Sequence, residues 1–293
     1  MRILLIGKNG QVGWELNRTL LPLGEVIATD YPEIDFANAN QIRQLVRDVQ
    51  PRVIVNASAY TDVDQAESEQ DLAFAINGTA PKILAEEAKD IDAMLIHYST
   101  DYVFDGKKDS GYIEEDAPQP INFYGESKLA GEQAVQAVDG DYLILRTSWV
   151  YSMRRPCFVT KVLKWAREYK TIRIVDDQIG NPTWSRALAE ITAQVLAKGS
   201  TEKKMAWLRK RRGTYHLAGN GSATRYEWAQ AILDNDPQKY AQIVEELLPA
   251  QSSEFPTPAR RPAYSALDCK KFGRVFNVRL SYWKELIPLA VQQ

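Results

Sequence analysis

Along the chain, short continuous apolar runs alternate with longer stretches in which apolar residues recur at helical spacing. Ile3-Leu4-Leu5-Ile6, Val53-Ile54-Val55, Met94 to Tyr98 and Tyr142 to Leu145 are such runs, suited to strands buried on both faces. Glu25 to Asp30 reads as a further strand that ends in an acid. Residues 14–21, 41–50, 73–90 and 128–137 have helical spacing between them. Strands alternating with helices predict an α/β fold with a Rossmann-type, doubly wound parallel sheet. Residues 1–150 are expected to form a dinucleotide-binding domain. Residues 151–293 are expected to form mainly a smaller C-terminal α/β substrate-binding domain, with segments able to interleave. Within it, Tyr226 to Leu233 and Tyr240 to Leu248 read as amphipathic packing helices. Ligands of such sheets bind beyond the carboxyl ends of the strands, which points to Asn56–Thr61, Ser99–Tyr102 and Thr147–Tyr151.

The first strand runs directly into Gly7-Lys8-Asn9-Gly10-Gln11-Val12-Gly13 and a helix. Strand, glycine turn and helix form a nucleotide-binding unit. One glycine makes the turn, one admits a pyrophosphate to the backbone, and one lets helix and strand pack closely. The helix start offers free N–H groups and partial positive charge to phosphates. The spacing is Gly-x-x-Gly-x-x-Gly, not the commoner Gly-x-Gly-x-x-Gly, so the second strand carries part of the argument. Asp30 falls where a carboxylate accepts adenosine ribose hydroxyls and disfavours a 2′-phosphate, a lean toward NADH over NADPH; Lys8 or Arg18 would favour the phosphate.

Tyr124-x-x-x-Lys128 lies at a predicted helix start, and residues i and i+4 share a helix face. A phenol titrates near ~10, so a neighbouring ammonium and an oxidised nicotinamide would bring its pKa toward neutrality. Ser99 and Thr100, after the fourth strand, supply hydroxyls for a substrate oxygen.

Composition narrows the classes. Of 293 residues 45% are hydrophobic and 25% charged, an ordinary globular balance. Two cysteines, Cys157 and Cys269, and two histidines, His97 and His216, exclude a disulfide scaffold and leave little for a Cys- or His-rich metal site. The N-terminal apolar run of four residues is too short for a signal peptide, and no stretch approaches the ~18 apolar residues of a membrane span. A cytoplasmic location without membrane association is expected. The net charge is −2, but its distribution is uneven. Residues 1–150 hold 12 Lys+Arg against 25 Asp+Glu, and residues 151–293 hold 24 against 13. An acidic half facing a basic half suits an anionic substrate in the second. The basic segment Glu202–Arg212 contributes to that excess and reads as a solvated face, not a nucleic-acid patch.

Taken together, Gly7-x-x-Gly10-x-x-Gly13, Tyr98-Ser-Thr-Asp-Tyr-Val-Phe104 and Tyr124-Gly-x-Ser-Lys128-x-x-Gly-Glu132 resemble the extended short-chain dehydrogenase/reductases. Asn56 to Glu67, Arg146 to Tyr151, Asp177 to Thr183 and Pro256 to Pro262 narrow the resemblance to the dTDP-4-dehydrorhamnose reductase family. The resemblance implies hydride transfer from NADH or NADPH to C4 of a dTDP-4-keto-6-deoxyhexose. Tyr124 would protonate the carbonyl oxygen, Lys128 would hold the cofactor ribose and tune Tyr124, and Thr100 would bond the developing alkoxide. It carries Gly7, Gly10, Gln11, Val12, Gly13 and Asp30 over to the cofactor, with Asp35 and Phe36 beside adenine and Ala57, Ser58 and Ala59 under the ribose and nicotinamide. Asp101, Tyr102 and Trp149 would shape the sugar pocket, and Arg260 would meet the diphosphate. A homodimer is implied. Ser58 stands where the family has Ala. Some members bind Mg²⁺ through carboxylates at a dimer contact; Glu15 matches one position but Arg186 stands at another, so no tight metal site is expected.

Two other readings stay open. A nucleotide-sugar epimerase of the same superfamily shares the Thr/Tyr/Lys trio. The regulatory β subunit of methionine adenosyltransferase is similar and acts as a binding partner. A dehydratase would carry Asp-Glu after the catalytic Thr, where this chain has Asp101-Tyr102.

Overall fold

The computed structural model describes residues 1–199 and 202–292. The first half contains β1 (Arg2–Ile6), α1 (Gln11–Leu20), β2 (Glu25–Thr29), α2 (Ala39–Val49), β3 (Val53–Asn56), α3 (Gln70–Phe74), α4 (Ala80–Asp90), β4 (Met94–Thr100), α5 (Phe123–Val138) and β5 (Asp141–Thr147). The second half adds β6 (Val150–Tyr151), α6 (Phe158–Glu168), β7 (Thr171–Val175), β8 (Ile179–Gly180), β9 (Thr183–Trp184), α7 (Ser185–Ala197), α8 (Glu202–Arg209) and β10 (Gly213–His216). It ends with β11 (Ala223–Thr224), α9 (Arg225–Asp234), β12 (Glu246–Ala250), α10 (Lys270–Phe276) and α11 (Trp283–Val291).

Six strands form a sheet in the order β2-β1-β3-β4-β5-β10, and every pairing is parallel. The apolar runs make this possible because both faces are covered. Ile3, Leu5, Val53, Val55 and Ile96 pack into one layer with Leu16 and Leu188. Their alternate neighbours Leu4, Ile6, Ile54 and Leu95 face Ile42, Leu84 and Val135 on the other side. Each such side chain removed from water contributes about 1.5–3 kcal/mol. The strand order reverses between β1 and β3, and their carboxyl ends open a crevice there. Residues 213–216, from the second half of the chain, complete the edge of this sheet.

The remaining strands are short pairs: β6 with β9, β7 with β12 and β8 with β11. Tyr226–Leu233 lies within helix α9. Tyr240–Leu248 is not a helix: it overlaps a short 3-10 turn, Lys239–Ala241, and the start of β12. The stretch is too short to nucleate a helix in isolation, and Pro249 blocks helical continuation. The ladder of β7 meanwhile pairs Leu247 with Ile172. Among the described residues no helix is long and apolar enough to cross a membrane.

Candidate active site

At the turn after β1, Gly7 has φ +88°, and a Cβ there would lie 2.7 Å from the Ala57 backbone. A Cβ on Gly13 would lie 1.8 Å from the Gly7 carbonyl oxygen. Gly13 thus serves helix-to-strand packing and does not line the cleft, whereas Gly7, Gly10, Gln11 and Val12 do. The cleft has a volume of about 970 Å³ and continues past Asp30, Asp35, Phe36, Ala57, Ser58 and Ala59 to Ser99, Lys128 and Thr147. Its acidic rim is structured. Asp30 accepts backbone N–H bonds from Asn9 and Tyr31, each at 2.8 Å, while Lys8 pairs with Glu33. Arg18 turns away to Glu15 and Glu190. Two buried hydroxyls in this cleft, Ser99 Oγ and Thr147 Oγ1, have no hydrogen-bond partner. A long cleft with a glycine cradle, an acid at one end and unpaired donors at the other fits a dinucleotide.

A second cleft, about 1330 Å³, opens toward the second half of the chain. Gln11, Thr61, Thr100, Asp101, Tyr124 and Trp149 line both clefts, so Thr100 and Tyr124 stand on the shared wall. The local chain explains how they meet. Asn122 caps α5, its side-chain oxygen accepting from Gly125 N at 2.8 Å, so the helix starts earlier than its apolar spacing suggests. Gly125 lies against the Tyr102 carbonyl so closely that a Cβ would come within 2.2 Å, bringing the α5 start onto the end of β4.

Burial pushes the Tyr124 phenol well above its ordinary pKa, with a hydrogen bond to Thr100 opposing. Burial thus favours the protonated phenol, whereas the Tyr-x-x-x-Lys spacing predicts a lowered one. Burial also pulls Lys128 down from 10.5 to about 8, partly offset by Glu132. Its Nζ donates to the Tyr98 carbonyl at 2.7 Å, and neither group depends on an ion pair with the other. Asp101 is held by three hydroxyls: Thr100 at 3.1 Å, Ser148 at 2.9 Å and Ser265 at 2.5 Å. Burial raises its pKa, opposed by those donors.

Sequence reasoning missed several residues here. Asn77, in a π-helical turn between α3 and α4, accepts from Tyr60 N and donates to Tyr60 O and Ser127 Oγ, tying the loop after β3 to α5. Asp64 pairs with Arg261 at 2.7 Å and accepts from Ala259 N, which holds the 256–262 segment over the cleft. Arg260 itself lines the rim. Arg225 and Trp228 also line the second cleft; no motif marked them because only folding brings them there. His97 and His216 are buried, and desolvation holds both below their usual pKa; neither lines these two clefts. Among the described residues, no cluster of His, Cys, Asp or Glu suits a metal ion; Arg186 pairs with Glu190.

A doubly wound sheet, a dinucleotide cleft and a Thr/Tyr/Lys set at its junction with a second cleft define the short-chain dehydrogenase/reductase class. The whole chain, residues 1–293, matches the family described as RmlD substrate binding domain. It is 41% identical to dTDP-4-dehydrorhamnose reductase of Burkholderia thailandensis, covering 100% of this chain and 98% of that one. The crystal structure of a dTDP-4-dehydrorhamnose reductase from Clostridium acetobutylicum matches with TM-score 0.90 at 32% identity, covering 100% and 99%. That of a Bacillus anthracis dTDP-4-dehydrorhamnose reductase in complex with NADP matches with TM-score 0.88 at 34% identity, covering 99% and 98%. The chain belongs to the RmlD substrate-binding-domain family, that of the dTDP-4-dehydrorhamnose reductases.

Proposed function

We propose that this protein reduces the C4 keto group of a dTDP-4-dehydro-6-deoxyhexose, converting dTDP-4-dehydrorhamnose to dTDP-L-rhamnose, with NADH or NADPH. The observation that carries the reading is the placement of Thr100 and Tyr124 on the wall between the two clefts. When bound, the reduced nicotinamide supplies the hydride. Gly7, Gly10, Gln11 and Val12 would hold its pyrophosphate, Asp30 its ribose, and Asp35 and Phe36 its adenine. Ala57, Ser58 and Ala59 would lie under the nicotinamide half.

Tyr124, protonated through burial, donates its phenolic proton to the carbonyl oxygen as that oxygen gains charge. Thr100 donates a hydrogen bond to the same oxygen. Asp101 keeps Ser148 and Ser265 as donors, so the Thr100 proton can turn toward substrate without stranding the carboxylate. Lys128 has one proton fixed on Tyr98 O and two left for the cofactor ribose, and its positive charge stabilises the phenolate that proton donation leaves behind. Asp101, Tyr102 and Trp149 shape the sugar pocket, and Arg260 reaches the diphosphate from the rim.

We further infer a cytoplasmic homodimer that does not act on nucleic acid. The basic segment supports the last point. Arg209 pairs with Asp92 and Asp141, Arg212 pairs with Asp139, and Arg211 stacks on Trp207. The side chains of 202–204 lie outside the described residues.

The test supplies NADH or NADPH with dTDP-4-dehydrorhamnose and follows loss of reduced-nicotinamide absorbance. Turnover that Tyr124→Phe abolishes is expected. Product formation without net cofactor consumption would identify an epimerase, and no turnover above the Tyr124→Phe control would sink the assignment.

A further inference from the structure

The substrate cleft contains a cation that the reduction chemistry does not use. Arg225 opens helix α9 with its guanidinium 3.6 Å from the Trp149 ring centre, 5.1 Å from Phe158 and 5.5 Å from Trp228. Trp149 and Trp228 stack on each other, with centroids 5.5 Å apart. Desolvation lowers the Arg225 pKa, and Tyr102 and Asp101 only partly offset it. No acid lies within ion-pair distance of Arg225 among the described residues, whereas Arg173 and Arg261 in the same cleft each have one. A guanidinium packed between rings and lacking a counter-ion is costly to desolvate unless something anionic arrives. Glu227, the nearest acid in sequence, is committed to capping Thr224 N at 2.9 Å.

The position is specific. Tyr102 lies close enough to Arg225 for its phenol to favour the charged guanidinium, and its ring meets Tyr124 edge-on with centroids 5.8 Å apart. Arg225, Tyr102 and Tyr124 line the same cleft, with Tyr102 beside both of the others. Trp149 itself has φ +42°, unusual for a bulky residue and the mark of a side chain held by its surroundings. Its ring packs where a Cβ on Gly180 would fall within 2.4 Å. The stacking platform for Arg225 is thus rigid.

We propose that Arg225, fixed on the Trp149/Trp228/Phe158 platform, is the inner anchor for the diphosphate of the nucleotide sugar and selects a diphosphate-linked substrate over an uncharged one. This rests on the nucleotide-sugar reading above. Arg260, at the rim, would add a second contact from outside. Arginine suits the inner position because its planar fork can stack on an indole and still direct donors to phosphate oxygens in its own plane.

The experiment measures binding of dTDP, thymidine and NADPH to the wild type and to Arg225→Met and Arg225→Lys, by calorimetry, with a thermal melt of each. In Arg225→Met, dTDP affinity is expected to fall about 10- to 100-fold, with thymidine and NADPH changed by less than about threefold. Arg225→Lys keeps the charge without the fork and should fall in between. Added salt should weaken dTDP binding more in the wild type than in Arg225→Met. Equal losses for dTDP and thymidine, or no loss for dTDP, would overturn the proposal. If Arg225→Met melts early and loses NADPH as well, Arg225→Lys decides: an unchanged dTDP/thymidine ratio there overturns it too. A wild type that turns over the dTDP-sugar while Arg225→Met binds dTDP normally would refute the anchor and leave the reductase reading standing. A wild type that binds no dTDP would remove both.

Discussion

The proposed cofactor cleft and the proposed substrate cleft share one wall but are built in opposite ways. The first is lined by consecutive segments at the ends of neighbouring parallel strands: the turn after β1, Asp30 after β2, Ala57–Ala59 after β3 and Ser99–Thr100 at the end of β4. Backbone geometry does most of its work. The second is assembled from side chains far apart in sequence, with Arg225, Trp228 and Arg261 brought onto Trp149 and Tyr102 by short strand pairs. Its character comes from buried polar contacts and cation–ring stacking. A general dinucleotide-binding frame can thus be joined to a selective pocket without altering the frame.

Several changes should separate the two clefts, and the largest falls on the wall itself. Tyr124→Phe removes the proposed proton donor while leaving its ring, and kcat should drop about 10²- to 10⁴-fold. Dissociation constants for NADPH and dTDP should stay within about threefold of wild type; a loss of either ligand would place Tyr124 in binding instead. Next comes the support behind the wall. Glu132 and Arg146 form a buried pair at 2.6 Å between α5 and β5, so Glu132→Gln should cost about 3–5 kcal/mol by leaving a buried guanidinium unmatched. Urea unfolding at unchanged slope would measure it.

Gly13→Ala drives a methyl into the Gly7 carbonyl and should cost about 1–3 kcal/mol. It should weaken NADPH more than dTDP, which isothermal titration of both ligands would show. If dTDP suffers equally, the clefts are less separable than their construction implies.

The pH dependence follows from Lys128. Its folded pKa is lowered to about 8, so the ammonium is present below that pH and lost above it. Tyr124, pushed upward by burial, stays protonated throughout that range. The kcat/KM profile, which reports the free enzyme, should therefore be flat below neutrality and fall about tenfold per pH unit above about 8. A fall on the acid side would contradict this. The smallest effect concerns cofactor choice: Asp30→Ala should raise NADPH use relative to NADH by several-fold, read as the ratio of kcat/KM values. An unmoved ratio would show that Asp30 serves only the Asn9 and Tyr31 backbone.

What could be read from the sequence tracks this same division. Gly7, Gly10, Tyr124 and Lys128 lie within single turns of chain, where spacing alone dictates which residues face together. The doubly wound sheet was equally readable, because strands covered on both faces must be continuously apolar. Arg225 was not, since its neighbours Tyr102 and Trp149 lie far away along the chain. Ser148 and Ser265 reach Asp101 the same way. Tyr240–Leu248 misled because a few amphipathic residues satisfy a strand as well as a helix, and the pairing with β7 decided between them. The upward shift of Tyr124 was hidden too: motif spacing suggests a cation nearby, but burial dominates and only the Thr100 hydrogen bond opposes it.

The claim at the centre is that one cleft delivers a hydride and the wall delivers a proton to the same C4 carbonyl. Reduced cofactor carrying deuterium at the transferring position, incubated with dTDP-4-dehydrorhamnose, tests it most directly. The account predicts one deuterium at C4 of the dTDP-rhamnose formed, with one cofactor oxidised per product. Product lacking deuterium at C4, or formed without cofactor oxidation, would contradict it.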